Sequence, residues 1–292
     1  VSEPLTVEEL LRVGTRVLSD STAIFEDHDN EDEARELLAM TLDIDDDDLD
    51  DDEEPTRRER EKFLSLIARR AAGEPMPFLR GYIEFFGLDI RVTPGAFVPR
   101  PSSELTVEEA LKRLGKRRNP VVVDVCAGVG PIGMAVAHER SSADVWALDI
   151  SVEGCRQGRN NARRLGVRNI SFAAGDMYEP LPAKYHGAVD MIVAHVPYVP
   201  ADEVEDLPDE VKVYEPVDTL TDSSHDGLFL MRRAVSEGVD LLKPGGWLLL
   251  EMSDDMVSKA KRLYRDAGFR DIKTVTDEDE LSVVVEAQKS PG

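Results

Sequence analysis

The residues with most chemical content stand at the ends of apolar runs in the second half of the chain. Val121 to Val125, broken only by Asp124, leads into Cys126, Ala127, Gly128, Val129 and Gly130, and a helical pattern starts at Pro131. This is a buried strand feeding a small-residue turn, where side-chain-free glycines let a ligand approach the backbone. Gly133 completes a GxGxxG spacing, which alone suits any dinucleotide or nucleoside. Asp149 ends the next run, followed by Ile150, and a carboxylate there can accept from both hydroxyls of a ribose. Gly175, Asp176 and Met177 end a third, with an acceptor for an adenine amino group beside a side chain that packs on the ring. Together they point to an adenosine, although each residue alone has a plain reading as turn glycine or surface carboxylate. Cys126 reads as a small loop filler rather than a nucleophile.

Positioning such residues takes a parallel sheet. From Val121 onward strands and helices alternate, the order that gives a parallel sheet covered on both faces. Strands are expected at 121–125, 145–149, 170–173, 189–194, 246–251, 270–275 and 281–287, and helices at 103–114, 131–140, 152–165, 226–242 and 254–267. Only Thr276 to Glu280 separates the last two strands, too little for a crossover helix, so they should be antiparallel neighbours. The fold class expected is α/β, a Rossmann-like seven-stranded sheet with its last strand antiparallel, preceded by a small all-α domain. In that front domain Thr6 and Glu9 form a capping box ahead of apolar residues at helical spacing, a second helix runs from about Glu31 to Leu42, and a third from Pro55 to Ala72, with Pro55 in its first turn and Gly73 as its stop. Tyr82 to Phe86 and Leu88 to Val92, split by Gly87, read as a hairpin. The expected division is a helical domain over 1–76, a β-hairpin linker over 77–100 and the α/β domain over 101–292.

Composition narrows the partners. The 292 residues carry 59 acidic and 35 basic side chains, a net charge of −24. Binding to bare nucleic acid draws on cations that release phosphate counterions, so neither DNA nor RNA is an expected direct partner. Ten of the twelve residues from Asp43 to Glu54 are acidic, which reads as a solvated, disordered loop or a docking strip for a basic partner. Two cysteines, Cys126 and Cys155, exclude a disulfide framework, and no Cys/His spacing suggests a metal. His138, His186 and His225 read as surface residues. With no leader pattern in Val1 to Leu11 and no apolar span, the expectation is a cytoplasmic protein without membrane contact.

The fourth strand carries the specific signal. Asp190 to Ala194 is followed by His195-Val196-Pro197-Tyr198-Val199-Pro200. Around it stand Arg69 to Pro75, Phe97-Val98-Pro99-Arg100-Pro101 with Glu104, Tyr214-Glu215-Pro216, and Asp226-Gly227-Leu228. In these segments the chain resembles the HemK/PrmC family, glutamine N5-methyltransferases of peptide-chain release factors, whose hallmark at this place is Asn-Pro-Pro-Tyr. The resemblance implies S-adenosylmethionine (SAM) as cofactor, a helical domain that docks a basic protein such as a release factor, and an acceptor site of His195, Val196, Pro197 and Tyr198. It implies a cofactor site of Phe97, Arg100, Asp124, Cys126, Ala127, Gly128, Val129, Gly130, Asp149, Ile150, Asp176, Met177 and His195. Arg100 reads equally as a partner of Glu104, a ligand of the methionine carboxylate or a plain surface residue. The departures fall at the chemistry: His195 and Val196 replace Asn and Pro, and Ser223-Ser224 replaces an expected Gly-Gly. A small-molecule acceptor on the same scaffold and a SAM-binding paralogue without turnover therefore remain competing readings, with a nicotinamide enzyme further off.

An amide nitrogen is a poor nucleophile, so a site that methylates it must hold both N–H hydrogens and aim the nitrogen at the sulfonium methyl. A neutral imidazole at His195 has one acceptor nitrogen for this task, or serves as a general base; a protonated one has only donors. Transfer is therefore expected to fall as the medium is acidified through the ordinary imidazole range, and initial rates between pH 5 and 8 check this.

Overall fold

Helix α1 (Val7–Ser19) begins at a reciprocal cap: the Thr6 hydroxyl accepts from the Glu9 amide at 3.3 Å, and the Glu9 carboxylate accepts from the Thr6 amide at 3.1 Å. The computed structural model describes residues 5–24, 29–277 and 283–291. They fall into two units, Val1–Gly81 with Asp206–Tyr214, and Tyr82–Glu205 with Glu215–Gly292.

In the first unit α2 (Asn30–Leu42) starts at Asp29, whose carboxylate accepts from the amides of Glu31 and Asp32. Helix α3 (Arg57–Ala71) starts later than Pro55 because Thr56 forms a second capping box with Glu59, leaving the proline outside the helix. A short helix α4 (Met76–Arg80) follows Pro75, where the sequence reading places only a closing turn. Leu10, Leu37, Leu38, Phe63 and Ile67 form the shared core. Each such side chain contributes about 1.5–3 kcal/mol by leaving water. The acidic run is exposed as expected, but it is not a free loop: the Asp51 and Glu53 carbonyls accept from the Glu8 and Val7 amides at the start of α1, donors with no partner inside the helix.

The second unit opens with a hairpin, β1 (Tyr82–Phe85) and β2 (Leu88–Arg91), turned by Phe86 and Gly87, both at positive φ. Then come α5 (Glu104–Leu114), β3 (Val121–Val125), α6 (Pro131–Glu139), β4 (Asp144–Asp149), α7 (Val152–Leu165), β5 (Ile170–Ala174), β6 (Val189–Ala194), α8 (Asp209–Lys212, part of the first unit), α9 (Phe229–Leu241), β7 (Leu242–Met252), α10 (Val257–Asp266), β8 (Phe269–Thr276) and β9 (Val283–Lys289). Asn161 of α7 ties down the hairpin, accepting from the Arg91 amide and donating to its carbonyl. The large sheet has the order β5-β4-β3-β6-β7-β9-β8. Strands β3 to β7 run parallel, and β9 lies antiparallel between β7 and β8, as the short link predicts. The beginning of the last strand, expected from 281, lies outside the described residues. Val123, Val125, Ile192, Leu248 and Leu250 are fully buried, the continuous apolar texture of a doubly covered parallel sheet. Among the described residues no helix is long and apolar enough to cross a membrane.

In the first unit the Arg70 guanidinium is 1% exposed and donates to Glu33 at 2.7 and 3.0 Å and to Glu210 of α8 at 2.9 Å. Removing it takes a charged donor from the buried Glu33 and the half-buried Glu210, so Arg70→Ala should cost about 3–5 kcal/mol, measured by urea unfolding followed through the helical signal.

Candidate active site

Strand β3 pairs with β4 on one side and β6 on the other, with Val125 level with both Leu148 and Ala194. The turns after these strands therefore open together where the strand order reverses, the place where open α/β sheets bind ligands. Asp149 latches the glycine turn: one carboxylate oxygen accepts from the Gly128 amide and the other from the Ser151 amide, each at 2.7 Å. Burial pushes this carboxyl above its ordinary range, against the pull of the two amides. Gly128 stands at φ +58°, and a Cβ built there meets nothing within 4 Å, so the turn faces open space. Ile150 beside it is 67% exposed, a large apolar surface at the strand end. Cys126 and Met177 both take positive φ and bring their sulfurs to 3.8 Å. Burial and the nearby Asp149 carboxylate push the Cys126 thiol well up, which keeps it protonated. Asp176 is held by Arg233 at 2.7 and 2.9 Å, a partner that the sequence reading missed.

Not every expected residue turns its side chain to this opening. Ala127, Val129 and Val196 are buried, so only their backbones are available to a ligand. Asp124 is buried too: its carboxylate accepts from the Gly133 amide at 2.8 Å, and a Cβ at Gly133 would approach that oxygen to 2.9 Å. Gly133 thus lets α6 close on β3. Burial raises the Asp124 carboxyl to about 7, against the lowering effect of the Gly133 amide.

The other half of the site forms around His195. Its ring stacks on Tyr198 at 5.8 Å with 20° between planes, and meets Phe97 edge-on at 5.7 Å. Burial raises the Tyr198 phenol above its ordinary range. Gly227 holds the turn: at φ +61°, a Cβ there would lie 2.0 Å from the Tyr198 carbonyl oxygen. Ser223 takes φ +62°, so the serine that replaces an expected glycine adopts the left-handed backbone a glycine would supply. Arg100 lies over the Phe97 ring at 4.5 Å and pairs with the buried Glu215, which also accepts from the Val98 amide at 3.0 Å; Glu104 instead accepts from the Phe86 amide at 2.7 Å.

A buried acid behind His195 also escaped the sequence reading. Glu251 at the end of β7 accepts from the Ser103 hydroxyl at 2.8 Å and the Thr106 hydroxyl at 3.0 Å, and lies 3.6 Å from His195 Nδ1. The available signal was a lone carboxylate closing an apolar run, Leu248 to Glu251.

A seven-stranded doubly wound sheet with an inserted antiparallel strand, carrying a glycine turn and a strand-end acid at its switch point, defines a class I SAM-dependent methyltransferase. Comparison with known proteins agrees: a methyltransferase domain matches residues 116–280 and the PrmC N-terminal domain matches residues 9–81. The chain is 38% identical over 212 residues to a release factor glutamine methyltransferase of Bordetella pertussis, covering 73% of this chain and 77% of that one. It is 31% identical over 261 residues to one of Bifidobacterium longum, covering 85% and 88%. Among solved structures, a Pyrococcus furiosus methyltransferase superposes with TM-score 0.52 at 19% identity, covering 70% of this chain and 90% of that one. A T. thermophilus 16S rRNA methyltransferase, solved with AdoMet and guanosine, gives 0.53 at 20% identity over 71% and 49%; these two likenesses speak to the fold. The chain belongs to the release factor glutamine methyltransferase family.

The buried Asp124 carries a pH signature. A carboxyl raised from 3.8 to about 7 in the native state favours folding below its unfolded pKa, and that contribution is lost as pH rises through 7. Asp124→Asn should remove about 2 kcal/mol of the stability difference between pH 5 and 8, read from urea midpoints at both values.

Proposed function

We propose that this chain transfers the methyl group of SAM to the side-chain amide nitrogen of a glutamine in a protein substrate of release-factor type. The observation that carries the reading is the convergence, at one switch point, of a latched glycine turn with the His195–Tyr198 stack that ends the neighbouring strand. The open face of Gly128, the exposed Ile150 and the Asp149 carboxylate fit an adenosine. Each Asp149 oxygen spends one lone pair on a backbone amide and keeps another for a ribose hydroxyl. Asp149 and Glu251 bring carboxylates to this end of the sheet, which suits a cationic sulfonium and opposes a pyrophosphate. SAM, when bound, supplies an activated methyl on that sulfonium.

The chain's own residues supply alignment. Tyr198, stacked on His195, forms a flat wall for a planar amide, and His195 offers an acceptor for one amide hydrogen. Phe97, held under Arg100 by Glu215, packs edge-on against the imidazole and steadies the ring. The exposed acidic run of the helical unit suits a basic protein surface, and the acidic balance disfavours direct nucleic-acid binding. Two free cysteines fit a cytoplasmic setting.

Incubation with labelled SAM and a release factor, followed by mass mapping of its Gly-Gly-Gln peptide, should show one added methyl on the glutamine; label on a small molecule alone would replace this reading. Asp149→Ala should weaken SAM binding by about 10- to 100-fold in calorimetry, since it removes ribose acceptors and unlatches Gly128.

A further inference from the structure

The Ser103 hydroxyl has one hydrogen, and it is given to Glu251 at 2.8 Å. Towards His195 Nδ1, 3.4 Å away, Ser103 Oγ can then only accept. The second neighbour of Nδ1 is the Glu251 carboxylate at 3.6 Å, again an acceptor only. Both groups therefore select a hydrogen on Nδ1, which leaves the lone pair of the neutral ring on Nε2, at the ring edge turned away from Glu251. Thr106, donating to the other Glu251 oxygen, fixes the carboxylate plane. Ser103, Thr106 and Glu251 are all buried, while the His195 side chain retains 18% exposure, so the ring is anchored in protein at its Nδ1 side and stays partly open.

We infer that His195 is the proton acceptor of the transfer reaction, held as its Nδ1–H tautomer by the positioning residues Ser103 and Glu251, with Nε2 presented to the nitrogen that receives the methyl. The inference rests on the proposed amide acceptor for its chemical step, but not for its tautomer. As the acceptor nitrogen bonds the methyl carbon, the carbon–sulfur pair returns to sulfur and the nitrogen becomes cationic. Its surplus proton passes to His195 Nε2, and the positive charge lies on an imidazolium backed by Glu251. Loss of that proton to solvent resets the ring. An asparagine, which the family resemblance places at this position, has no basic nitrogen and can align an amide but not take its proton. The substitution thus adds a base to the site rather than only removing a clamp.

The charged and titratable groups around the ring are few. Glu251 faces it from β7 and Tyr198 from the turn after β6, while Arg100, over Phe97, is neutralised by Glu215. Asp124 of β3 lies within electrostatic reach of Glu251, and Asp255 within reach of Tyr198.

The test reads the ring directly. In 15N-histidine-labelled enzyme saturated with S-adenosylhomocysteine, long-range 1H–15N spectra at pH 8, with the His195 signals identified by their loss in His195→Asn, should show the Nδ1–H tautomer. Ser103→Ala should shift the ring towards Nε2–H, and Glu251→Gln should do so further. A dominant Nε2–H tautomer in the unmodified enzyme overturns the inference. With the release-factor substrate, the rate of the unmodified enzyme should fall about tenfold per pH unit on the acid side, while His195→Asn gives a flat profile. Identical profiles for the two overturn the proton-acceptor role. If the release factor takes no methyl at all, the substrate reading fails while the ring spectra still decide the tautomer.

Discussion

Carboxylates withdrawn from water at the carboxyl edge of the sheet have to be satisfied by donors that stay in place, and the local architecture follows from that demand. Asp124 takes the Gly133 amide, Asp149 the Gly128 and Ser151 amides, Glu251 the Ser103 and Thr106 hydroxyls, and Glu215 the Val98 amide and Arg100. A carboxylate offers only acceptors, and a protonated carboxyl still keeps an acceptor oxygen, so each needs neighbours with hydrogens to give. These neighbours belong to the turns and helix starts that must be rigid for a ligand to meet a fixed surface. Satisfying the acids and ordering the site are one operation.

The consequence is an acidic pocket with few mobile parts. Backbone amides and short hydroxyls lose little conformational entropy when they bind, unlike lysine or arginine. A cationic ligand gains from such a field, and the nearby Arg100 and Arg233 are each already paired with a carboxylate. Transfer of an activated methyl group needs chiefly in-line alignment, which a rigid wall and fixed acceptors provide. What alignment alone does not provide is a destination for the proton that the acceptor nitrogen must lose, and the role proposed for His195 is to receive it.

Most of the sheet unit was legible because its signals are local. The Val121 to Val125 run, the Gly128 and Gly130 turn and the strand-end acids each declare themselves within a few residues, and the link from Thr276 to Glu280 is too short for any crossover. The capping box of Thr6 and Glu9 was legible for the same reason, whereas Pro55 misled because Thr56 and Glu59 formed a stronger start one step on. Long-range pairings were not legible. Ser103 meets Glu251 across 148 positions and Arg70 meets Glu210 across 140, and no periodicity encodes either. Ser223 looked like a broken glycine motif, yet its φ of +62° retains the turn, with the Asp222 carboxylate accepting from the Ser224 amide at 2.8 Å. A short polar side chain can hold a left-handed backbone at modest cost, so the residue type changed while the conformation persisted.

The acids inside the site and those on the surface act over different distances. Asp124 and Glu251 work through contacts of about 3 Å in a medium that screens poorly, where geometry decides the outcome. The acidic run between Asp43 and Glu54 is exposed, and its field decays over roughly 8 Å at physiological salt. It can raise the encounter rate of a basic protein without affecting how an amide is aimed. Because the Asp51 and Glu53 carbonyls are bound to the start of α1, this charge is also presented from a defined place on the helical unit rather than from a wandering tail. A net charge of −24 therefore coexists with a precise site: the excess lies at the surface, where it is screened, and the few acids that are not screened are each matched to a donor.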